Sequence, residues 1–326
     1  MKRRALLLAS GAWLACAAVR SFAQASKAPR RIAFVLPGTE AGWRDRFEVF
    51  RAALKDLRYI EGRDVVIEAR WADDKTERLA SLASEVVASN PAVIVTASSA
   101  GVAAFKKATA SIPIVFATAF NPVEQGFVAS LPRPGGNITG ISLYPGLTPK
   151  IVEVARDALP KARRLAMMIH VTDPAHKFAL EFFESTARNF NFEPMVVRVA
   201  RAEDLERAFG ELAARKADVL FLPALTFFTS ERKQLAERAL KARLPLLATS
   251  SPATDNRALL IYGTDVDENY RRAAALVVKI LRGAKPSELP VEQPERFQLV
   301  VNLKTAKAIG VSFSSDFMQR ADRTID

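Results

Sequence analysis

Few residues in this chain have the type and spacing that covalent chemistry needs. The only histidines are His170 and His176, six positions apart. That spacing does not place two imidazoles on one helix face for a metal, and the single cysteine, Cys16, lies far off in sequence. His170 ends an apolar run that reads as a strand, a fit position for a general base, but no nucleophile is paired with it. There is no G-x-S-x-G elbow and no Walker loop, and Gly38 and Gly42 do not make a dinucleotide fingerprint. The expectation is no catalytic residue, no metal and no cofactor.

Residues suited to non-covalent capture are better placed. Small polar side chains follow the apolar runs: Thr39 after Pro37-Gly38, Ser98 and Ser99, Asn121, Thr172 and Asp173, Thr226, and Ser250. In an open parallel sheet, ligands sit beyond the carboxyl ends of the strands. Ser98 and Ser99 stand where a strand turns into a helix, so free N–H groups and two hydroxyls there can hold a carboxylate or another anion. The alternative is a plain helix cap, and the two roles can coexist. Asn121 and Thr172 are placed to exchange hydrogen bonds with a ligand. Phe120, Tyr144, Phe227 and Tyr262 offer flat apolar walls, though core packing is the commoner use of such rings.

The elements that must position these residues alternate strand and helix. Ile32–Leu36, Val93–Thr96 and Ile112–Thr118 are apolar runs read as strands, Val93–Thr96 as a buried one, and Val65–Trp71, which carries Glu68 and Arg70, reads as another strand. Between them, Phe47, Phe50, Leu54 and Leu57 fall on one helical face, Leu79, Leu82 and Val86 on another, and a third helix spans about Ala100–Ala110. The pattern repeats with strands at Leu165–Ile169, Met195–Val199, Val219–Leu222 and Leu246–Ala248. Such alternation indicates parallel sheets covered on both faces. The fold class is α/β, with two Rossmann-like lobes of parallel sheet and a ligand cleft between them. The join is the Pro- and Gly-rich stretch Pro132–Pro149. The tail, with a strand at Leu259–Tyr262, a helix at Asn269–Leu281 and a strand at Phe297–Val301, continues neither lobe simply.

The start of the chain bears on compartment. Met1-Lys2-Arg3-Arg4 is basic, Ala5–Val19 is a 15-residue run that is apolar or small apart from Ser10, and Ala23 and Ala25 close small-x-small patterns. This reads as a secretory signal peptide over residues 1–25, cleaved after Ala23 or Ala25. The run is short of the roughly 20 residues a membrane-spanning helix needs. Arg3-Arg4 only faintly resembles a twin-arginine signal. Lipid anchoring through Cys16 is the lesser reading, because Trp13 stands where a Leu-like residue belongs. Export to the periplasm removes most ATP- and NAD-dependent chemistry. A chain without cysteine after cleavage must hold itself by a hydrophobic core. Removing Lys2, Arg3, Arg4 and Arg20 takes the formal charge from +12 to +8. The remaining basic residues are spread along helices with acids interleaved, so no nucleic-acid partner is expected.

Longer strings then become distinctive. Asn121-Pro122-Val123-Glu124-Gln125-Gly126-Phe127-Val128 through Leu131-Pro132-Arg133-Pro134-Gly135-Gly136-Asn137-Ile138-Thr139-Gly140 resembles a family of ABC-transporter substrate-binding proteins. So do Lys279-Ile280-Leu281-Arg282-Gly283-Ala284-Lys285-Pro286, Leu289-Pro290-Val291-Glu292-Gln293-Pro294 and Asn302–Gly310, and the resemblance covers roughly residues 31 to 326. It implies the type I periplasmic binding protein architecture, with the chain crossing three times between lobes. The first lobe would comprise residues 26–143 and 266–290, the second 144–265 and 291–326. It also implies a small-molecule ligand, an ABC permease in the inner membrane as partner, no stable oligomer and no enzymatic activity. A sensor presenting ligand to a receptor or histidine kinase is the alternative, and an exported α/β enzyme a more distant one.

Some family members are similar to binding proteins for aromatic amino acids. Related sequences often carry acids at the positions of Asn121 and Ala224, where an α-ammonium group would find a partner. Their loss leaves Asp173, Asp255 and Asp265 as substitutes, and leaves a carboxylate without an amine as an open alternative.

Overall fold

The computed structural model describes residues 28–143, 147–173, 176–249, 257–294 and 296–326. The segment 1–25 with Cys16, and also Tyr144, Ser250 and Asp255, lie outside the described residues.

The first lobe is built from β1 (Arg30–Leu36), α1 (Glu40–Asp56), β2 (Val65–Trp71), α2 (Arg78–Ala88), β3 (Val93–Thr96), α3 (Ser98–Ala108), β4 (Ile114–Phe120) and β5 (Ile138–Leu143). Its five strands pair in parallel in the order β2-β1-β3-β4-β5. Successive strand residues face opposite sides. Ile32, Phe34 and Leu36 of β1 therefore pack with Phe50 and Leu54 of α1, while Ala33 and Val35 pack with Leu79 of α2 and Phe105 of α3. Helices on both faces are why β1 and β3 read as unbroken apolar runs.

The second lobe follows with α4 (Leu147–Ala158), β6 (Arg164–His170), α5 (His176–Asn189), β7 (Glu193–Val199), α6 (Asp204–Ala214), β8 (Val219–Leu222), α7 (Thr226–Ser230), α8 (Arg232–Lys241), β9 (Leu246–Ala248) and β10 (Leu260–Gly263). Then come α9 (Val266–Leu281), β11 (Gln298–Asn302), α10 (Leu303–Ile309), α11 (Ser315–Gln319) and β12 (Arg323–Ile325). Seven strands pair in the order β12-β11-β10-β9-β8-β6-β7, parallel except between β10 and β11. Again one strand feeds two cores: Ala166 and Met168 of β6 pack with Leu205 of α6, and Leu165, Met167 and Ile169 with Phe183 of α5.

Helix α9 does not stay with the lobe that precedes it. Its Tyr270, Ala273, Ala274 and Val277 are buried in one cluster with Phe34 and Phe50. The chain leaves β10, completes the first lobe with α9, and returns to add β11 beside β10. With the passage from β5 to α4, it moves between the lobes three times. Asp265 marks one crossing by capping α9, its carboxylate accepting from the amides of Asp267 and Glu268.

The stretch Pro132–Pro149, read from sequence as a join, holds more structure than that. It contains β5, whose six residues are all buried, and the start of α4. Gly140 within β5 has φ +155° and lies where a Cβ would overlap the Phe116 carbonyl, so this strand tolerates no side chain there. Among the described residues, no helix is long and apolar enough to cross a membrane.

Candidate functional site

A cleft of about 600 Å³, including its open mouth, separates the lobes. The first lobe lines it with Trp43 and Arg46 of α1, Ser98 and Ser99 at the start of α3, Thr118 to Phe120 at the end of β4, Leu143, and Val266 and Tyr270 of α9. The second lobe contributes Asp173, just past β6, and Ala224, Leu225, Thr226 and Thr229 around the start of α7. The loops that follow β3, β4, β6 and β8 converge here, at the carboxyl ends of their strands.

Ser98 and Ser99 divide their work. Ser98 has φ +67°, a left-handed conformation that costs a non-glycine residue energy, and its hydroxyl accepts from the Gly101 amide at 3.3 Å. It caps α3. Ser99 is buried, and its hydroxyl accepts from Gln125 Nε2 at 2.8 Å. The Gln125 amide also bonds the Phe120 carbonyl, so one side chain ties the α3 start to the β4 end.

Arg46 is the chief feature that sequence reasoning missed. A charge on a helix is usually solvated, yet Arg46 is only 2% exposed. Trp43, Arg46, Phe50, Ala53 and Leu54 form the buried face of α1, and the i, i+3, i+7 spacing of the first three was the available signal. Its Nε and Nη1 have no hydrogen-bond partner among the described residues. Burial, and then the nearby Arg232, lower its pKa from the usual guanidinium value. Tyr270 beside it is fully buried with an unpartnered hydroxyl, and burial drives its pKa upward.

On the opposite wall, Asp173 is 6% exposed, and its carbonyl accepts from the His176 amide at 3.1 Å and from His176 Nδ1 at 2.6 Å. His170 lies behind the wall. Its ring stacks on Phe227 at 4.6 Å, and its Nε2 donates to the Ala200 carbonyl at 2.9 Å. Burial lowers its pKa from the ordinary imidazole value. Its position suits packing rather than proton transfer.

The lobes also touch directly. Trp43 Nε1 donates to the Ser230 hydroxyl at 3.0 Å, and that hydroxyl donates to Asp74 Oδ1 at 2.8 Å. Arg232 of α8 donates to the Gly42 carbonyl at 2.6 Å and pairs with Asp45 at 3.3 Å. Burial raises the Asp74 carboxyl to about 7, with Glu231 and Asp73 adding to the rise and Ser230 opposing it.

Of the residues singled out from sequence, Ser98, Ser99, Asp173 and Thr226 come together on the cleft walls. Thr39 instead caps α1, accepting from the Gly42 amide. Asn121 sits in a left-handed turn after β4, its carbonyl accepting from the Gln125 amide. Thr172 is exposed and contacts His170. Tyr262 stacks on Phe297 at 6.1 Å, and Asp265 is the exposed cap of α9. None of these five lines the cleft. Among the described residues, no group of three His, Cys, Asp or Glu side chains is placed to hold a metal.

Comparison with known proteins agrees with this architecture. A tyrosine-binding protein of Clostridioides difficile is 26% identical over 260 residues, covering 80% of this chain and 75% of that one. A conserved domain protein from Vibrio cholerae superposes with a TM-score of 0.84 at 22% identity, over 90% of this chain and 99% of the other. An ABC domain from Streptococcus pneumonia, solved in complex with L-Trp, gives 0.81 at 18% identity, over 90% and 100%. The fold is that of the type I periplasmic binding proteins. Residues 41–325 match the family of ABC transporter substrate binding proteins, and the chain belongs to that family.

Proposed function

We propose that this protein is the exported solute-binding component of an ABC importer. It captures a small organic ligand, an amino acid or carboxylate, between its lobes and presents the closed form to a permease in the inner membrane. It does no chemistry on the ligand. The observation that carries this reading is the cleft itself, whose walls of mixed apolar and polar side chains come from both lobes, and the Trp43–Ser230 and Arg232–Gly42 contacts that bridge the lobes. A ligand touching both walls binds the closed form better than the open one, which is the requirement for closure.

Ser98, Ser99, Asp173 and Thr226 are the proposed contacts. Asp173 gives an α-ammonium group a buried carboxylate, which offsets the absence of acids at Asn121 and Ala224. The tyrosine-binding relative and the L-Trp complex favour aromatic amino acids among the candidates. Removal of residues 1–25 on export would leave a monomer working in the periplasm, with lobes of residues 26–143 plus 266–290 and 144–265 plus 291–326.

Calorimetric titration of protein refolded from denaturant tests the proposal, using amino acids, aromatic acids, dicarboxylates and sugars. A saturable one-to-one heat with the compound recovered unchanged is expected. Conversion of the bound compound would sink the reading in favour of an enzyme.

A further inference from the structure

We propose that Arg46 recognises a carboxylate on the ligand, so that the cleft takes organic anions with a flat apolar body in preference to neutral sugars and amines. The inference rests on the binding role proposed above. Arg46 is 98% buried, lines the cleft beside Ser98 and Ser99, and leaves Nε and Nη1 without partners. A buried, unpaired guanidinium is costly, and removing such a charge from a protein that has no use for it is often stabilising. Among the described residues no carboxylate lies within 4.0 Å of it: Asp45 is paired with Arg232 instead, and Asp267 is near enough to act through its field without contact. The missing counter-charge fits a ligand that arrives with it. Nε and Nη1 lie on different edges of the guanidinium, so a carboxylate meets one of them alone or together with Nη2 in two-point geometry.

A second group points the same way. Tyr270 is buried on the same wall with an unpartnered hydroxyl that burial keeps protonated, so it is ready to donate to an anion. Trp43 and Phe120 supply flat walls for the rest of the molecule.

The test uses refolded protein titrated with L-tyrosine, L-tryptophan, their decarboxylated amines tyramine and tryptamine, the deaminated acids 3-(4-hydroxyphenyl)propanoate and indole-3-propanoate, and D-galactose. At least one carboxylate should bind while the matched amine and galactose do not. Arg46→Gln should weaken that binding on the order of 100-fold without lowering the melting temperature of ligand-free protein. Asp267→Asn should leave affinity within threefold. If Arg46→Gln fails to fold, Tyr270→Phe carries the test, with a loss of about tenfold. Equal binding of an amine or of galactose overturns the carboxylate assignment but leaves a binding protein. So does a carboxylate affinity unchanged in Arg46→Gln, or in Tyr270→Phe where that variant carries the test. No binding by any of these probes overturns both.

Discussion

Trp43 and Ser230 stand 187 positions apart in sequence and meet across the cleft, the indole N–H donating to the serine hydroxyl at 3.0 Å. The bond exists only while the lobes are together, so it biases the open–closed equilibrium. Ser230→Ala removes the acceptor with little change in volume. It also removes the donor to Asp74, so two hydrogen bonds between the lobes are lost; at about 1 kcal/mol each, ligand affinity should fall about thirtyfold, as read by calorimetry. An unchanged affinity would mean that water replaces the bonds without loss.

Gly38 lies under the same contact. A Cβ at this position would overlap both the Trp43 indole and the Ser230 hydroxyl. Gly38→Ala should therefore hold the lobes apart while leaving each lobe folded. The expected result is weaker ligand binding with an unaltered far-ultraviolet circular dichroism spectrum, and a larger radius of gyration by X-ray scattering at saturating ligand.

Protonation of Asp74 should couple closure to pH. Burial against the second lobe raises its carboxyl to about 7. A group with a raised pKa in the closed form binds its proton more tightly there, so closure is favoured as pH falls from about 7 toward the ordinary carboxylate range. Affinity should increase on the order of tenfold between pH 7.5 and pH 5.5. Glu231, itself raised by burial, adds in the same direction. Asp74→Asn should flatten most of the profile; a slope retained in that variant would assign it to Glu231 or to the ligand.

Asp265 was a candidate ligand contact by sequence and is a helix cap by structure. Asp265→Ala should cost about 1 kcal/mol of stability in urea unfolding and leave ligand affinity unchanged. A binding defect without loss of stability would return Asp265 to the site.

Phe34 is fully buried and packs against Phe47, Phe50, Trp71 and Tyr270. Truncation to Ala leaves a cavity under both α1 and α9. It should cost about 3–5 kcal/mol in denaturant unfolding.

The elements were legible where local pattern is strong. Val93–Thr96 and Val219–Leu222 are strands at the residues their apolar runs mark, because every position in them is buried, while the edge strand Val65–Trp71 keeps its expected bounds with Glu68 and Arg70 partly in solvent. β5 and α4 are not legible in the sequence, since the Pro- and Gly-rich turn before them makes the whole stretch look like a loop. At the cleft, Ser98, Ser99, Asp173 and Thr226 could be found because strand ends converge in parallel sheets. Arg46 could not be found by type, since a charge on a helix is usually solvated. Thr39, Asn121, Thr172, Tyr262 and Asp265 share the strand-end signature but spend it on caps, turns and packing. That distinction is tertiary.

The return of α9 to the first lobe has a consequence for biogenesis. Phe34 and Phe50 emerge early from the ribosome, but the helix that covers them ends at Leu281. Until that point is synthesised the first lobe lacks one wall of its core, and long-range contacts of this kind slow folding. Most of the chain must therefore be made before the first lobe can lock. A nascent polypeptide held open for so long is a good substrate for chaperones and for translocation in the unfolded state.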